Sequence, residues 1–123
     1  MNGNCMQKDD GNAILAKILA NDCLVFVTPV YYLGVSAQLK TLIDRFYSRN
    51  GAITSKHLKV VYIAAASNDD SVVMKALDAH IDILSSYLQM QEVGMVMSKC
   101  AGYPAMIKPH YLQEAYRLGK SLS

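Results

Sequence analysis

The chain has 123 residues, 52% of them hydrophobic and 18% charged, with a formal net charge of +2. This balance excludes a disordered chain, and the length predicts a single domain over residues 1–123 rather than a two-domain enzyme. Twelve basic against ten acidic side chains, with no basic stripe, exclude counterion-driven nucleic-acid binding.

No apolar run reaches the roughly 18 residues of a membrane span, and the polar start MNGNCMQKDDGN is not a signal peptide. A cytoplasmic protein without membrane contacts is expected. Asp10 or Gly11 caps a first helix in which Ile14, Leu15, Ile18 and Leu19 recur at helical spacing, ending near Asn21. Cys23-Leu24-Val25-Phe26-Val27 is a continuous apolar, partly β-branched run, the pattern of a parallel-sheet strand buried on both faces, and Thr28-Pro29 stops it. Ser36 caps the next helix, which carries Leu39, Leu42, Ile43 and Phe46 on one side and runs to about Ser48. After the turn-rich Arg49-Asn50-Gly51, residues 58–65 read as a second inner strand.

The cluster Ser67-Asn68-Asp69-Asp70 closes that strand and opens an amphipathic helix over residues 71–90, marked by Val73, Leu77, Ile81, Leu84 and Leu88. Residues 92–98 form a weaker third strand. A loop through Gly102, Tyr103 and Pro104 leads to a last helix from Pro109, with Leu112, Ala115, Tyr116 and Gly119 expected on its inner face. A helix followed by three strand–helix units predicts an α/β wound parallel sheet of three strands and four helices. Right-handed crossovers place the helices at 36–48 and 71–90 on one face, leaving chiefly the last helix for the other, and give the first strand no partner on its outer edge. A homo-oligomer is therefore expected, with a second copy covering that edge and face through a continuous sheet or an exchanged N-terminal segment.

In open parallel sheets, ligands bind beyond the carboxyl ends of the strands. Three loops lie there, over residues 28–35, 66–70 and 99–109. The first, Thr28-Pro29-Val30-Tyr31-Tyr32-Leu33-Gly34, sets two aromatics, a proline and a glycine between an inner strand and a helix start. A planar heterocycle can stack there, its edge read by backbone groups around Pro29 to Tyr32; packing of the tyrosines onto their neighbours is the structural alternative. Ser67 and Asn68 can add contacts to the ring edge, with helix capping as their plainer role, and Tyr103 can close over the ligand or pack at the surface.

Other groups read as ordinary. His57, His80 and His110 share no metal-ligand spacing, and no nucleophile–base pair is legible. Asp9-Asp10 and Asp69-Asp70 sit at helix starts, where the helix dipole favours negative charge. Lys40, Arg45 and Arg49 fit a solvated helix face. Cys5, Cys23 and Cys100, odd in number and far apart, encode neither a disulfide framework nor a zinc knuckle.

The string TPVYYLGVSAQLKTLIDRF, from Thr28 to Phe46, resembles the signature of NADPH-dependent FMN reductases and iron–sulfur flavoproteins of the flavodoxin-like superfamily. Leu112, Ala115, Leu118, Gly119 and Lys120 are similar to that family's closing helix. The resemblance implies a flavodoxin-like three-layer sandwich, FMN as cofactor, NAD(P)H as co-substrate and oxidoreductase activity. In that family the TPVY segment lies along the flavin ring, which makes Thr28, Pro29, Val30, Tyr31, Tyr32 and Leu33 the expected ring-binding segment; Ser67, Asn68 and Tyr103 are weaker additions from their place on the neighbouring loops. Members of the family begin with a strand, a Ser/Thr/Gly-rich phosphate turn, a first helix and a second strand ahead of the strand matched here, and no Ser/Thr/Gly-rich strand-to-helix turn is legible before residue 28. The fold is accordingly expected to be N-terminally truncated and its phosphate site incomplete. Cys5 stands at the last position of the relatives' cysteine cluster; one thiolate cannot replace four, so no cluster and no metal are expected.

Three readings follow. The first is a flavin-dependent reductase whose phosphate site is completed by a partner. The second is a non-catalytic remnant or interaction module of the same fold without cofactor, and the third a longer gene product of which this chain is the C-terminal part.

Overall fold

The computed structural model describes residues 3–122. The elements run α1 (Gly11–Ala20), β1 (Cys23–Pro29), α2 (Ala37–Arg45), a 3-10 turn (Phe46–Arg49), α3 (Asn50–Lys56), β2 (Lys59–Ala65), α4 (Ser71–Tyr87), β3 (Gln91–Ser98), a second 3-10 turn (Pro104–Met106) and α5 (Pro109–Ser121). The three strands pair in the order β1-β2-β3, all parallel, with Cys23 opposite Lys59 and Lys59 opposite Gln91. Helices on both faces make three layers, as the strand–helix alternation predicts.

Alternation of side chains across the strands sorts the core. Phe26 of β1 and Val60, Tyr62 and Ala64 of β2 point to the face covered by α1 to α4 and pack into one cluster with Leu15, Ile18, Ile43, Ile53, Leu77 and Ile81. Phe26 stacks on Tyr62, ring centroids 5.1 Å apart and 11° from parallel, and meets Phe46 at 6.3 Å. The buried Tyr62 hydroxyl shares a hydrogen bond of 2.8 Å with Ser85 Oγ, so the buried hydroxyl of α4 is satisfied. Burial pushes the Tyr62 phenol above its ordinary value.

Two helices differ from expectation. The helix after Ser36 does not run unbroken to Ser48: α2 ends at Arg45, tightens into a 3-10 turn and restarts as α3, where Arg49-Asn50-Gly51 had indicated a turn. Burial of Ile53, which has no exposed surface, overrides the weak helix propensity of Asn50 and Gly51. The inner stripe of α5 is Tyr111, Ala115 and Leu118, while Leu112 and Tyr116 are 62% and 68% exposed. The phase of α5 is set by β3: a Cβ on Gly94 would lie 2.2 Å from Leu118 Cδ1, so Leu118 occupies the notch that glycine leaves.

On that second face α5 touches β3 and leaves β1 open. Val25 and Val27 are 45% and 66% exposed, so β1 is an edge strand with one uncovered face rather than a strand buried on both. The uncovered edge and face expected from the crossovers are thus present.

Candidate functional site

Pro29, Ala65 and Ser98 stand on one rung at the carboxyl ends of the three strands. The loops after them therefore leave the sheet side by side. Ala66 N–H donates to Ser98 carbonyl at 2.8 Å, Ala101 N–H to Ala66 carbonyl at 2.8 Å, and Cys100 N–H to Asn68 carbonyl at 3.3 Å, tying the second loop to the third. Val30 N–H donates to Ala65 carbonyl at 2.8 Å, tying the first to the second.

The first loop is a constrained bend. Thr28 is buried; its hydroxyl donates to Pro29 carbonyl at 2.8 Å and accepts from Ser36 N–H at 3.0 Å, closing the loop at its base. Tyr31 and Gly34 exchange both backbone bonds, at 3.0 and 3.1 Å, leaving Tyr32 and Leu33 as a two-residue tip. Both tip residues have positive φ, 44° and 70°, which a primed hairpin turn demands and which glycine or asparagine ordinarily supplies. A bulky side chain in this region costs about 1–2 kcal/mol, and such strain concentrates at ligand-binding sites. It also holds Tyr31, Tyr32 and Leu33 out in solvent, with Tyr32 fully exposed.

Two consequences are measurable. Leu33→Gly should stabilise the fold by about 0.5–1 kcal/mol, the relieved left-handed strain less the added flexibility of the unfolded chain, read as a higher thermal midpoint. Thr28→Val keeps the volume but strips Ser36 N–H of its acceptor, and should cost about 1–3 kcal/mol in denaturant unfolding.

The other expected residues sit close by without making a closed pocket. Ser67 lies against the third loop, where a Cβ on Gly102 would approach its Cβ to 3.7 Å. Asn68 contributes its carbonyl to that tie, Asp70 caps α4 by accepting from Val72 N–H at 2.9 Å, and Lys99 pairs with Asp69 at 3.4 Å. Tyr103 is exposed at the start of the second 3-10 turn. The loop thus brings Thr28 to Leu33, Ser67 and Asn68 to one end of the sheet, with Tyr103 on the loop beside them.

Three of the cavities among the described residues lie elsewhere or beneath. One of about 10 Å³, room for a single water, is lined by Phe26, Thr28, Val35, Tyr62 and His80 among others under the bend. One of about 160 Å³ lies between α2 and the end of α4, beside Tyr47 and Tyr87. The largest, about 460 Å³, runs between the start of α1 and α2, past Asp9, Gln38, Thr41 and Arg45. Of the candidate residues only Thr28 lines any of these; the ring shelf is an open surface.

Of the three cations expected on a solvated helix face, Lys40 is exposed, whereas Arg45, its side chain 15% exposed, and the half-buried Arg49 turn toward the N-terminal segment. Arg45 bridges Asp9 at 2.9 Å and donates to Cys5 Sγ at 3.1 Å; the backbone hydrogen bond of Gln7, and after it Arg45, holds that thiol below its ordinary value. Arg49 donates to Asn4 and Lys40 pairs with Asp44 at 2.6 Å. All three cysteines are free, and among the described residues no group of three or more His, Cys, Asp or Glu is placed to hold a metal ion. No helix among them is long and apolar enough to cross a membrane.

The residue sequence reasoning missed is Ser36. Beyond opening α2 it anchors the bend through Thr28, a role that only the eight-residue reach of the Thr28 hydroxyl reveals.

Solved structures share this fold. A Trp repressor binding protein from Bacillus subtilis superposes with a TM-score of 0.68 at 23% identity, covering 89% of this chain and 72% of its own. A WrbA-like flavodoxin from Agrobacterium tumefaciens gives 0.65 at 16%, covering 88% and 69%. At such identities the likeness shows the fold alone, which is flavodoxin-like. An iron–sulfur flavoprotein from Archaeoglobus fulgidus is 44% identical over 43 residues, 35% of this chain and 20% of the relative. Another from Methanocaldococcus jannaschii is 49% identical over the same length, 22% of that relative. The chain thus spans about a fifth of the curated relatives it matches. The model of one family, NADPH-dependent FMN reductase, matches residues 1–101. A match over so much of the chain, bend and sheet included, shows that the protein belongs to the NADPH-dependent FMN reductase family.

Proposed function

We propose that the protein is a flavin-dependent oxidoreductase that holds the ring system of FMN on the bend after β1 and takes NAD(P)H as co-substrate. The observation that carries this is the bend itself: a two-residue tip with both φ angles positive, stitched at its base by the Thr28 hydroxyl, presenting Tyr31, Tyr32 and Leu33 beyond the carboxyl end of a parallel strand. The residues fit the ring. Tyr31 or Tyr32 covers its face, main-chain groups from Pro29 to Tyr32 meet its edge, Ser67 and Asn68 approach from the neighbouring loop, and Tyr103 closes the far side. When bound, the flavin supplies hydride acceptance and onward electron transfer, while the protein supplies orientation and electrostatics. The three free cysteines suit a reducing cytoplasm.

The phosphate is a different matter. The helix starts nearest the bend have donors already engaged: Ser36 N–H on Thr28 Oγ1, Leu39 N–H on Ser36 Oγ, and Val72 N–H on the Asp70 carboxylate. Asp69 and Asp70 add negative charge beside the second of these, which disfavours a phosphate there. The described residues therefore hold the ring and leave the phosphate to a partner. Titration into the purified chain, followed by visible absorbance and flavin fluorescence, tests both points. Saturable binding is expected for FMN and riboflavin within a few-fold of each other, weakened at least about tenfold by Tyr31→Ala combined with Tyr32→Ala. A colourless protein that saturates with neither would reject the proposal.

The open shelf favours a second reading, an interaction module of the same fold without cofactor, since the candidate residues other than Thr28 line none of the three cavities. The same titration separates the two.

A further inference from the structure

The ladder between β1 and β2 fixes which way each main-chain group of β1 points. Lys59 N–H donates to Asp22 carbonyl and Val30 N–H to Ala65 carbonyl, with Cys23 opposite Lys59 and Pro29 opposite Ala65. In a parallel pair this parity assigns the groups of residues 22, 24, 26, 28 and 30 to β2. The N–H and C=O of Cys23, Val25 and Val27 therefore face the outer edge. Side chains of the same residues lie on the face α5 leaves open, Val25 and Val27 being the exposed pair.

From this we infer that two copies of the chain join edge to edge, β1 against β1 in antiparallel register about a two-fold axis at Val25. In that register Val25 faces its own symmetry mate and Cys23 faces Val27, and each of the three pairs exchanges both N–H···O=C bonds, so the outward groups meet partners in a six-stranded sheet. The occupant is a second copy for three reasons. No side chain of β1 carries charge, so identical edges meet without repulsion. The edge lacks the lysines and bulges that keep lone edges apart, and its one proline, Pro29, stands at the end. The N-terminal segment of the described residues is held elsewhere, through paired hydrogen bonds between Cys5 and Asn12, and so does not fold back onto this edge. The inference stands independently of flavin binding.

Sedimentation equilibrium of the full chain at micromolar concentrations should show a reversible monomer–dimer equilibrium. Val25→Lys sets two cations directly opposite each other and should weaken dimerisation at least about tenfold. Val25→Glu should do the same, and an equimolar mixture of the two variants should restore a dimer, because the register places Lys opposite Glu. Amide exchange on the unaltered chain needs no variant: protection at Cys23, Val25 and Val27 should rise with concentration while that of Leu24 and Phe26 stays constant. A monomer throughout, a dimer indifferent to either charge, or a mixture that stays monomeric would overturn the inference.

Discussion

Phe26→Ala is expected to lower the unfolding free energy by about 3–5 kcal/mol, read as a fall of roughly 10–20 °C in the thermal midpoint. Phe26 is nearly fully buried between Tyr62 and Phe46, so truncation removes two ring contacts and opens a cavity where the sheet meets the helices. The neighbours are held by independent elements, β2 and the 3-10 turn after α2, and cannot simply close in. The loss reaches the candidate site as well, because Thr28, two residues on along the same face, lines the small cavity beside Phe26. Conservative Phe26→Leu, which keeps most of the volume, should recover more than half of the stability. Equal losses in the two variants would show that the ring stack, rather than the apolar volume it fills, carries the effect.

Gly94→Ala carries the next largest effect. Its Cβ would stand 2.2 Å from Leu118 Cδ1, 2.7 Å from Cδ2 and 3.0 Å from Cγ, so the Leu118 side chain must swing out of the notch, which weakens the seat of α5 on β3. The expected cost is about 1–3 kcal/mol, with early proteolysis near Pro109 as α5 loosens. The cost shrinks in company: Leu118→Ala empties the notch, so Gly94→Ala on that background should cost far less. A double-mutant cycle therefore yields a coupling of about 1 kcal/mol or more. Additive losses would mean that α5 is not keyed to the sheet through this pair.

How much of this was legible depends on what each residue reports. The strands read over residues 23–27 and 58–65, found at 23–29 and 59–65, announce themselves because β-branched and aromatic residues crowd between turn signals, and Leu15, Ile43, Leu77 and Ile81 keep helical spacing and are buried as expected. The phase of α5 was not legible. Leu112 and Tyr116 are as apolar as Tyr111 and Leu118, and only the absence of a side chain at Gly94, distant in sequence, selects one stripe over the other. Likewise Arg49-Asn50-Gly51 carries turn chemistry locally and becomes helix through the burial of Ile53.

At the candidate site, composition identified the bend, since two tyrosines, a proline and a glycine rarely gather between a strand and a helix. Its conformation was hidden: nothing in Tyr32-Leu33 advertises positive φ, which the fold imposes against preference. The engaged state of the helix starts was hidden too, because Ser36 and Asp70 read as caps without revealing that they occupy the donors a phosphate would need.

The central claim is that the tyrosine-bearing tip receives an aromatic heterocycle. Amide chemical shifts recorded during FMN titration test it most directly: saturable changes should concentrate at residues 28–34, with smaller ones at Ser67, Asn68 and Tyr103, and riboflavin should reproduce the pattern. Changes centred instead on the groove between α1 and α2, or no saturable change at the tip, would contradict it.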